Sequence, residues 1–406
     1  MKKTSILGLC LLTAAAASAQ ITVVKEAEKA MKSGKPFTEV VTIVTPAFSD
    51  PATAQLAQTY YVPGKAGFKQ YDDVLGKRQI GIIKDGDPQI TAAVNALLGG
   101  YDYFMKALPL DSLPNEKGQI KPKYSKDMLS TIQGHQNDFN TAAVDFWAAK
   151  EYDNAYKSWD IFLNFQKNPM FPKAQQYPDS TLSDIAYNQG LAAWQANNYD
   201  AALNSFRKSM ALGNDKKQLF EYAVAVANNA KNNEAILEFA EAGNRLYGHD
   251  DPQFINHIIN YYLNTEKYDE AMNILNNAIS ADPSNAQYYA LEGIIYDNQK
   301  NRTKSLECYD KALSLNPDNA VALFYKGRAL AAQAGEFSDN YNGNGYDAYK
   351  ASTLAPLYRQ SVELLEKAYQ LDPNNRHQIL QVLEIDYYNL NDQVGMDSVK
   401  ERKLDD

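Results

Sequence analysis

Cysteine, histidine and tryptophan are scarce in this sequence, with 2, 4 and 3 copies among 406 residues. Two cysteines cannot build a disulfide framework, and scattered histidines such as His135, His257 and His377 leave no multi-histidine metal site. Apolar runs long enough to span a bilayer are missing. Positive charge is short too, 40 Lys and Arg standing against 49 Asp and Glu for a net charge of −9. That balance is a poor footprint for nucleic acid or for anionic lipid. Catalytic patterns are also lacking: His-Glu-x-x-His, Cys-x-x-Cys, Gly-x-Ser-x-Gly, the Walker loop and the dinucleotide glycine pattern do not occur. Nothing nominates a nucleophile, so the chain reads as a non-enzyme that needs no metal and no cofactor. A composition of 45% hydrophobic and 22% charged residues describes a folded, soluble chain.

What is present begins with an address. Lys2 and Lys3, the apolar run Ile6 to Leu12 and the small-residue site Ala17-Ser18-Ala19 read as a secretory signal peptide over residues 1–19. The expected product is periplasmic or otherwise exported, with no integral membrane segment after cleavage. Leu9 stands where a lipoprotein signal needs a small residue before Cys10, so an ordinary signal-core cysteine is expected. Cleavage after Ala19 removes two lysines and no acid, moving the net charge from −9 to −11. Cys308 is then the one remaining thiol and has no internal partner; a half-buried place on a helix is expected for it.

The body of the chain repeats. Tyr268-Asp269-Glu270-Ala271, Leu275, Ala278 and Pro283 return 34 residues later as Ser305, Tyr309, Ala312 and Pro317. Gly293 and Tyr296 precede the second copy. Earlier copies are Tyr199-Asp200-Ala201-Ala202 with Gly190 and Phe206, and Tyr152-Asp153-Asn154-Ala155 with Trp159; Ala235, Phe239 and Ala242 form a weaker one. Ala271, Leu275 and Ala278 are spaced i, i+4, i+7 and so lie on one stripe of a helix. Small residues opposite a ring let two antiparallel helices approach, and the proline stops the second helix before the next begins. A single such hairpin is too thin to bury its own apolar face, so neighbours must stack.

This pattern resembles the tetratricopeptide repeat (TPR), which sets a small residue at repeat position 8, aromatics at 11 and 24, alanine at 20 and 27 and proline at 32. The resemblance implies an all-α solenoid of helical hairpins wound into a right-handed superhelix. Repeats are placed at 136–169, 183–215, 216–251, 252–285, 286–319 and 320–373, with a linker at 170–182 and capping helices at 374–406. Residues 20–135 read as a degenerate TPR-like hairpin region. If Gly64 is position 8 and Ala107 position 27, its second hairpin holds an insertion of about 24 residues around Asp72 to Asp87, expected as a loop. Residues 112–127, with Lys117, Lys121, Lys123 and Lys126, read as a solvated linker. A second insertion, 334–357, falls in the sixth repeat. Its Asn340, Asn342, Asn344 and Gly345 copy the start of a calcium loop, but Ala351 stands where the closing glutamate belongs, and a plain loop is expected.

In TPR proteins the first helix of each repeat lines a concave groove through positions 2, 5, 9, 12 and 13. That resemblance nominates Tyr187, Gln195, Phe220, Asn228, Asn256, Asn260, Asn264, Asn298, Phe324 and Arg328. Asn256, Asn260 and Asn264 are four apart and share one helix face, where amides can donate to and accept from a peptide backbone whatever its sequence. The charged pattern by which some TPRs clamp a C-terminal carboxylate does not fall on three consecutive repeats here. Tyrosine, at 28 copies, is partly explained by packing positions. Tyr341, Tyr346, Tyr349 and Tyr358 are not; they cluster about the second insertion, where they could flank the groove, stack on sugar rings or fold back on their scaffold. The expected function is a non-catalytic protein- or peptide-binding scaffold of the cell envelope, with no nucleic-acid partner. A glycan-binding protein of an outer-membrane uptake system is the alternative. The export signal and layout resemble those of exported TPR proteins of Bacteroidetes.

Overall fold

A computed structural model describes residues 21–114, 117–248 and 253–405. The signal peptide and its cleavage after Ala19 lie outside the described residues. The chain divides into two compact units, which meet in sequence at Leu219 and Phe220. As the repeat pattern implies, the described residues are almost wholly helical, with a single β-bridge between Pro114 and Ile120.

The first unit opens with α1 (21–32) and α2 (Phe37–Val44), whose valines Val40 and Val44 are buried. Burial of that face outweighs the weak helix propensity of a β-branched run. A long hairpin follows, α3 (Ala57–Gln79) against α4 (Pro88–Asp111). Here the expected loop around Asp72 to Asp87 is corrected: α3 continues to Gln79, and Ile80 to Asp87 connect the arms. Arg78 anchors the extension, forking onto Asp145 at 2.8 and 3.1 Å while its Nε reaches Asp85 at 3.0 Å. Close approach is enforced by glycine. A methyl group at Gly67 would lie 2.3 Å from the Ala96 carbonyl oxygen, and one at Gly64 2.3 Å from the Phe104 ring. Gly64 and Phe104 therefore meet as repeat positions 8 and 24 are expected to meet.

The linker expected at 112–127 ends earlier, because α5 (Ser125–Gly134) has formed. Asp111 holds its entry, accepting from the backbone N–H groups of Lys123, Tyr124 and Ser125 and from the Ser125 hydroxyl. Next come α6 (Gln136–Ala148), α7 (Tyr152–Leu163), α8 (Asp179–Gln195) and α9 (Tyr199–Ala211). Between α7 and α8 the chain is irregular yet ordered: Phe171 is buried, and Gln136 clasps Gln175, its Nε2 donating to the carbonyl and its Oε1 accepting from the N–H, each at 2.8 Å.

In the second unit the hairpins run α10 (Lys217–Asn229) with α11 (Asn233–Tyr247), α12 (Gln253–Asn264) with α13 (Tyr268–Ala281) and α14 (Ala286–Asn298) with α15 (Arg302–Leu315). The unit itself starts within α10, at Phe220. A methyl at Gly293 would sit 2.3 Å from the fully buried Tyr309 ring. The turn inside each regular hairpin repeats one geometry. Lys150, Asn197, Lys231, Glu266 and Lys300 all have φ between 54° and 61°, two residues before the second helix. At Lys300 the N–H meets Asp297 O, and Asn301 N–H reaches back to Tyr296 O, which satisfies the last carbonyls of the first arm.

That turn is missing where α16 (Ala320–Asp339) continues through Ala334. The expected insertion 334–357 is thus mostly helix. A short loop leads to Gly345, at φ 87°, and α17 (Tyr346–Tyr349) runs through one wide π turn into α18 (Ala355–Leu371). The cap is a further hairpin, α19 (Arg376–Leu390) and α20 (Gln393–Asp405), with the same turn at Asn391. Cys308 is half-buried on α15, where burial and then Glu292 push its thiol up to about 12, leaving it protonated and unreactive.

Candidate functional site

The first arm of each hairpin supplies the nominated residues, and burial sorts them by repeat position. Position 5 turns inward, since it lies three residues, nearly one helical turn, before the packed position 8. Phe220 precedes buried Ala223 and is 1% exposed, edge-on to Phe254; Phe324 precedes buried Gly327 and is 3% exposed. Both are core residues, so their nomination for the partner surface is corrected. Asn256 precedes buried Ile259 and is half-buried, with its Oδ1 closed off from solvent and unpaired. Tyr187 is half-buried as well, its ring tilted on Phe206 at 5.9 Å.

Position 13 faces outward, and position 9 does so in the fourth repeat, at Asn260, whereas Val224 and Ile294 at that position are buried. Gln195 in the first unit, and Asn228, Asn260, Asn264 and Asn298 in the second, are exposed. Asn228 and Asn298 each donate Nδ2 to a carbonyl one turn back, Val224 O and Ile294 O, at 2.9 Å. One of the two N–H donors of each amide is thereby occupied, and its Oδ1 is turned to accept from a partner's N–H. In the second unit α12, α14 and α16 contact one another in series, so Asn260, Asn264, Asn298 and Arg328 lie on neighbouring arms.

Arg328 is held in place rather than loose. Its guanidinium rests 4.5 Å from the Tyr325 ring centre and 4.0 Å from Asp297 Oδ2. Asp297 accepts from Ser305 at 3.0 Å and from the Tyr309 hydroxyl at 3.3 Å, with Arg302 3.8 Å away. Arg302 continues to Ala329 O and to Glu336. The network fixes one cation beside the amides, with α14, α15 and α16 braced about it.

The insertion tyrosines part company. Tyr358 is 4% exposed in a cluster with Ala331, Ala334 and Leu354, which removes it from the exposed aromatic set. Tyr341 stacks on Tyr349 at 4.1 Å, its hydroxyl donating to Asn344 O; Tyr346 bonds Ser338 at 2.6 Å. These rings fold back on their own scaffold, with Tyr346 exposed at the edge.

One feature escaped the sequence reading. In the first unit Val144, Trp147, Trp159, Asn188 and Leu191 line a cavity of about 190 Å³ among α6, α7 and α8. Val144 is exposed on it, and the Trp159 indole N–H is held by Asn140 Oδ1 at 2.9 Å. The confinement of all three tryptophans to residues 147–194 is the signal that could have found it.

The tetratricopeptide repeat family matches the chain at residues 286–319 and 260–285. No curated protein shows significant similarity. Among solved structures the chain is similar to YrrB, a TPR protein with an unusual peptide-binding site, at 20% identity over 50% of this chain and 98% of that one, with a TM-score of 0.34. It is similar to the C-terminal part of a TPR repeat-containing protein from Cytophaga hutchinsonii, at 17% identity over 63% and 91% of the two chains, TM-score 0.37. A third is PilW, a type IV pilus biogenesis factor, at 12% identity over 54% and 91%, TM-score 0.37. Among the described residues no helix is long and apolar enough to cross a membrane. With Gly293 set against Tyr309 inside a matched segment and Gly64 against Phe104 outside it in the same arrangement, the chain carries tetratricopeptide repeats, matched over residues 260–319.

Proposed function

We propose that the protein is a non-catalytic scaffold of the cell envelope that captures an extended peptide on the first-arm face of its second unit. The observation that carries this reading is the run of exposed amides on adjoining arms: Asn260 and Asn264 on α12 and Asn298 on α14, beside the braced Arg328. Such groups serve backbone N–H and C=O of any sequence, so the partner would be read mainly through its extended conformation. The signal-like pattern at residues 1–19 supports an encounter outside the cytoplasm. Affinity purification from envelope extract with the wild-type chain and with Asn260→Ala/Asn264→Ala tests the reading. Selective loss of the same partners from the variant is expected; equal recovery removes the amide face.

A glycan is the second reading, and the Tyr341–Tyr349 stack with the exposed edge of Tyr346 is what favours it. Clear hits on a glycan array that disappear in Tyr346→Ala, together with no protein partner, would establish it.

A further inference from the structure

Asp386, in α19, is 0% exposed, and both of its carboxylate oxygens are buried without a hydrogen-bond partner. One turn before and one turn after it, Val382 and Leu390 pack against Ala331, Ala334, Leu354 and Tyr358 of the two lengthened arms. An ionised carboxylate in such a place is strongly disfavoured. The polar group that bears on it is Ser361 of α18. A serine hydroxyl has one proton, and Ser361 donates it to the Gly327 carbonyl of α16 at 2.8 Å. Ser361 draws the Asp386 carboxyl down, but with its proton engaged at Gly327 it leaves both carboxylate oxygens without a donor, and burial prevails.

Other ionisable groups packed about α19 do not supply a counter-charge. Tyr358 is itself pushed up, first by burial and then by Asp386. Farther along α18, Glu366 takes a bidentate Arg402 from α20 at 2.8 and 2.9 Å and the Tyr387 hydroxyl at 2.9 Å. Burial raises Glu366, but Arg402 and Tyr387 outweigh it and hold the carboxyl below its ordinary range. Glu384 is paired with Lys403 at the surface.

We propose that Asp386 is a proton-operated latch: the neutral acid lets the hairpin α19–α20 dock on α16 and α18, and loss of its proton to solvent releases that hairpin. Release uncovers the part of α18 around Leu365 and Tyr369 that packs against Leu380, Leu383 and Val399. Burial pushes the docked carboxyl up to about 7, whereas in the released hairpin it titrates near ~3.9. Opening therefore sheds a proton between those limits. Docking is strongest at the acid end of the window, and the opening constant rises about tenfold per pH unit until it levels off near the docked value.

Hydrogen exchange of the full chain, followed by mass spectrometry in peptides from 376–405 and corrected for intrinsic exchange, tests the latch. From pH 5 to pH 7 the opening constant should rise about fiftyfold in wild type and then level off. Asp386→Asn should be flat over that range and retain its protection at pH 7, as should Asp386→Leu if the amide disturbs packing. Peptides from 286–319 provide the reference for intact repeats. No rise in wild type, or the same rise in both variants, overturns the proposal.

Discussion

The first unit leaves the repeat register at the α3–α4 hairpin, before α5 and between α7 and α8, and at each departure a polar side chain reaches across to tie the chain down. Arg78 ties α3 to Asp145, Asp111 ties the entry of α5, and Gln136 ties the segment before α8. The second unit keeps its register from α10 to α15, and small residues against rings do the same work. Polar atoms are worse served there: Asn256 Oδ1, Arg302 Nε and the Asp386 carboxyl are buried without partners, against Ser158 Oγ in the first unit. Backbone that abandons the repeat loses its expected partners and must be satisfied individually. Regular stacking from α10 to α15 demands less of each side chain, whereas Asp386 lies beyond it, against the lengthened arms.

The comparison can be broken most forcefully at glycine. Gly67→Ala drives a methyl into backbone, the Ala96 carbonyl, and should cost about 3 kcal/mol. Gly293→Ala meets the Tyr309 ring instead and should cost about 2 kcal/mol. Because Trp147, Trp159 and Trp194 all lie in the first unit, urea unfolding followed by tryptophan fluorescence should register the first change and be nearly blind to the second. Equal fluorescence shifts would show that the units unfold as one.

A smaller effect is expected at Asp111. Burial raises its carboxyl, but the Ser125 hydroxyl and three backbone N–H groups outweigh that and hold it below the ordinary range. Its contribution is therefore present above the unfolded value near ~3.9 and fades as pH falls through the lower folded value. Asp111→Ala should cost about 2 kcal/mol at pH 7, read by tryptophan fluorescence, and much less in strong acid.

His135 sharpens the contrast in the opposite direction. Nδ1 lies 2.7 Å from Thr131 O and Nε2 2.8 Å from Asp72 Oδ1. Both partners only accept, so both ring nitrogens donate and the ring is an imidazolium. Burial pulls its pKa down, yet Asp72 and the Thr131 carbonyl prevail and raise it. Its stabilisation is complete below the unfolded value near ~6.5 and is lost as pH rises through the folded one. Asp72→Asn should lower the His135 midpoint in an NMR titration; an unchanged midpoint would refute the link. Least of all should the partner face matter to folding: Asn260→Ala/Asn264→Ala is expected to stay within about 0.5 kcal/mol of wild type in a melt.

Spacing made the hairpins readable, since Gly64, Gly293 and their facing rings are local signs of close approach. Helix continuation was not readable, because α3 depends on Arg78 meeting Asp145, 67 residues away. Likewise Ala334 gives no local sign that a turn has been replaced by helix. For the candidate site the repeat positions carried the information only in part. Asn260, Asn264 and Arg328 could be named from pattern, whereas Phe220, Phe324 and Tyr358 look the same in sequence whether a ring faces water or core. Depth is a property of the neighbouring arm, which the sequence window around each ring does not contain.

The turn within each hairpin holds a consequence of another kind. Lys150, Asn197, Lys231, Glu266, Lys300 and Asn391 adopt a left-handed backbone that L-residues resist at roughly 1 kcal/mol each. Glycine at any one of them should raise local stability by about 0.5 kcal/mol, less than the full relief because its unfolded state is freer. The six turns are separate sites along the array, so such changes should add. The turns thus form a row of separate set-points, by which the melting order along the array could be rewritten one hairpin at a time without altering a helix face.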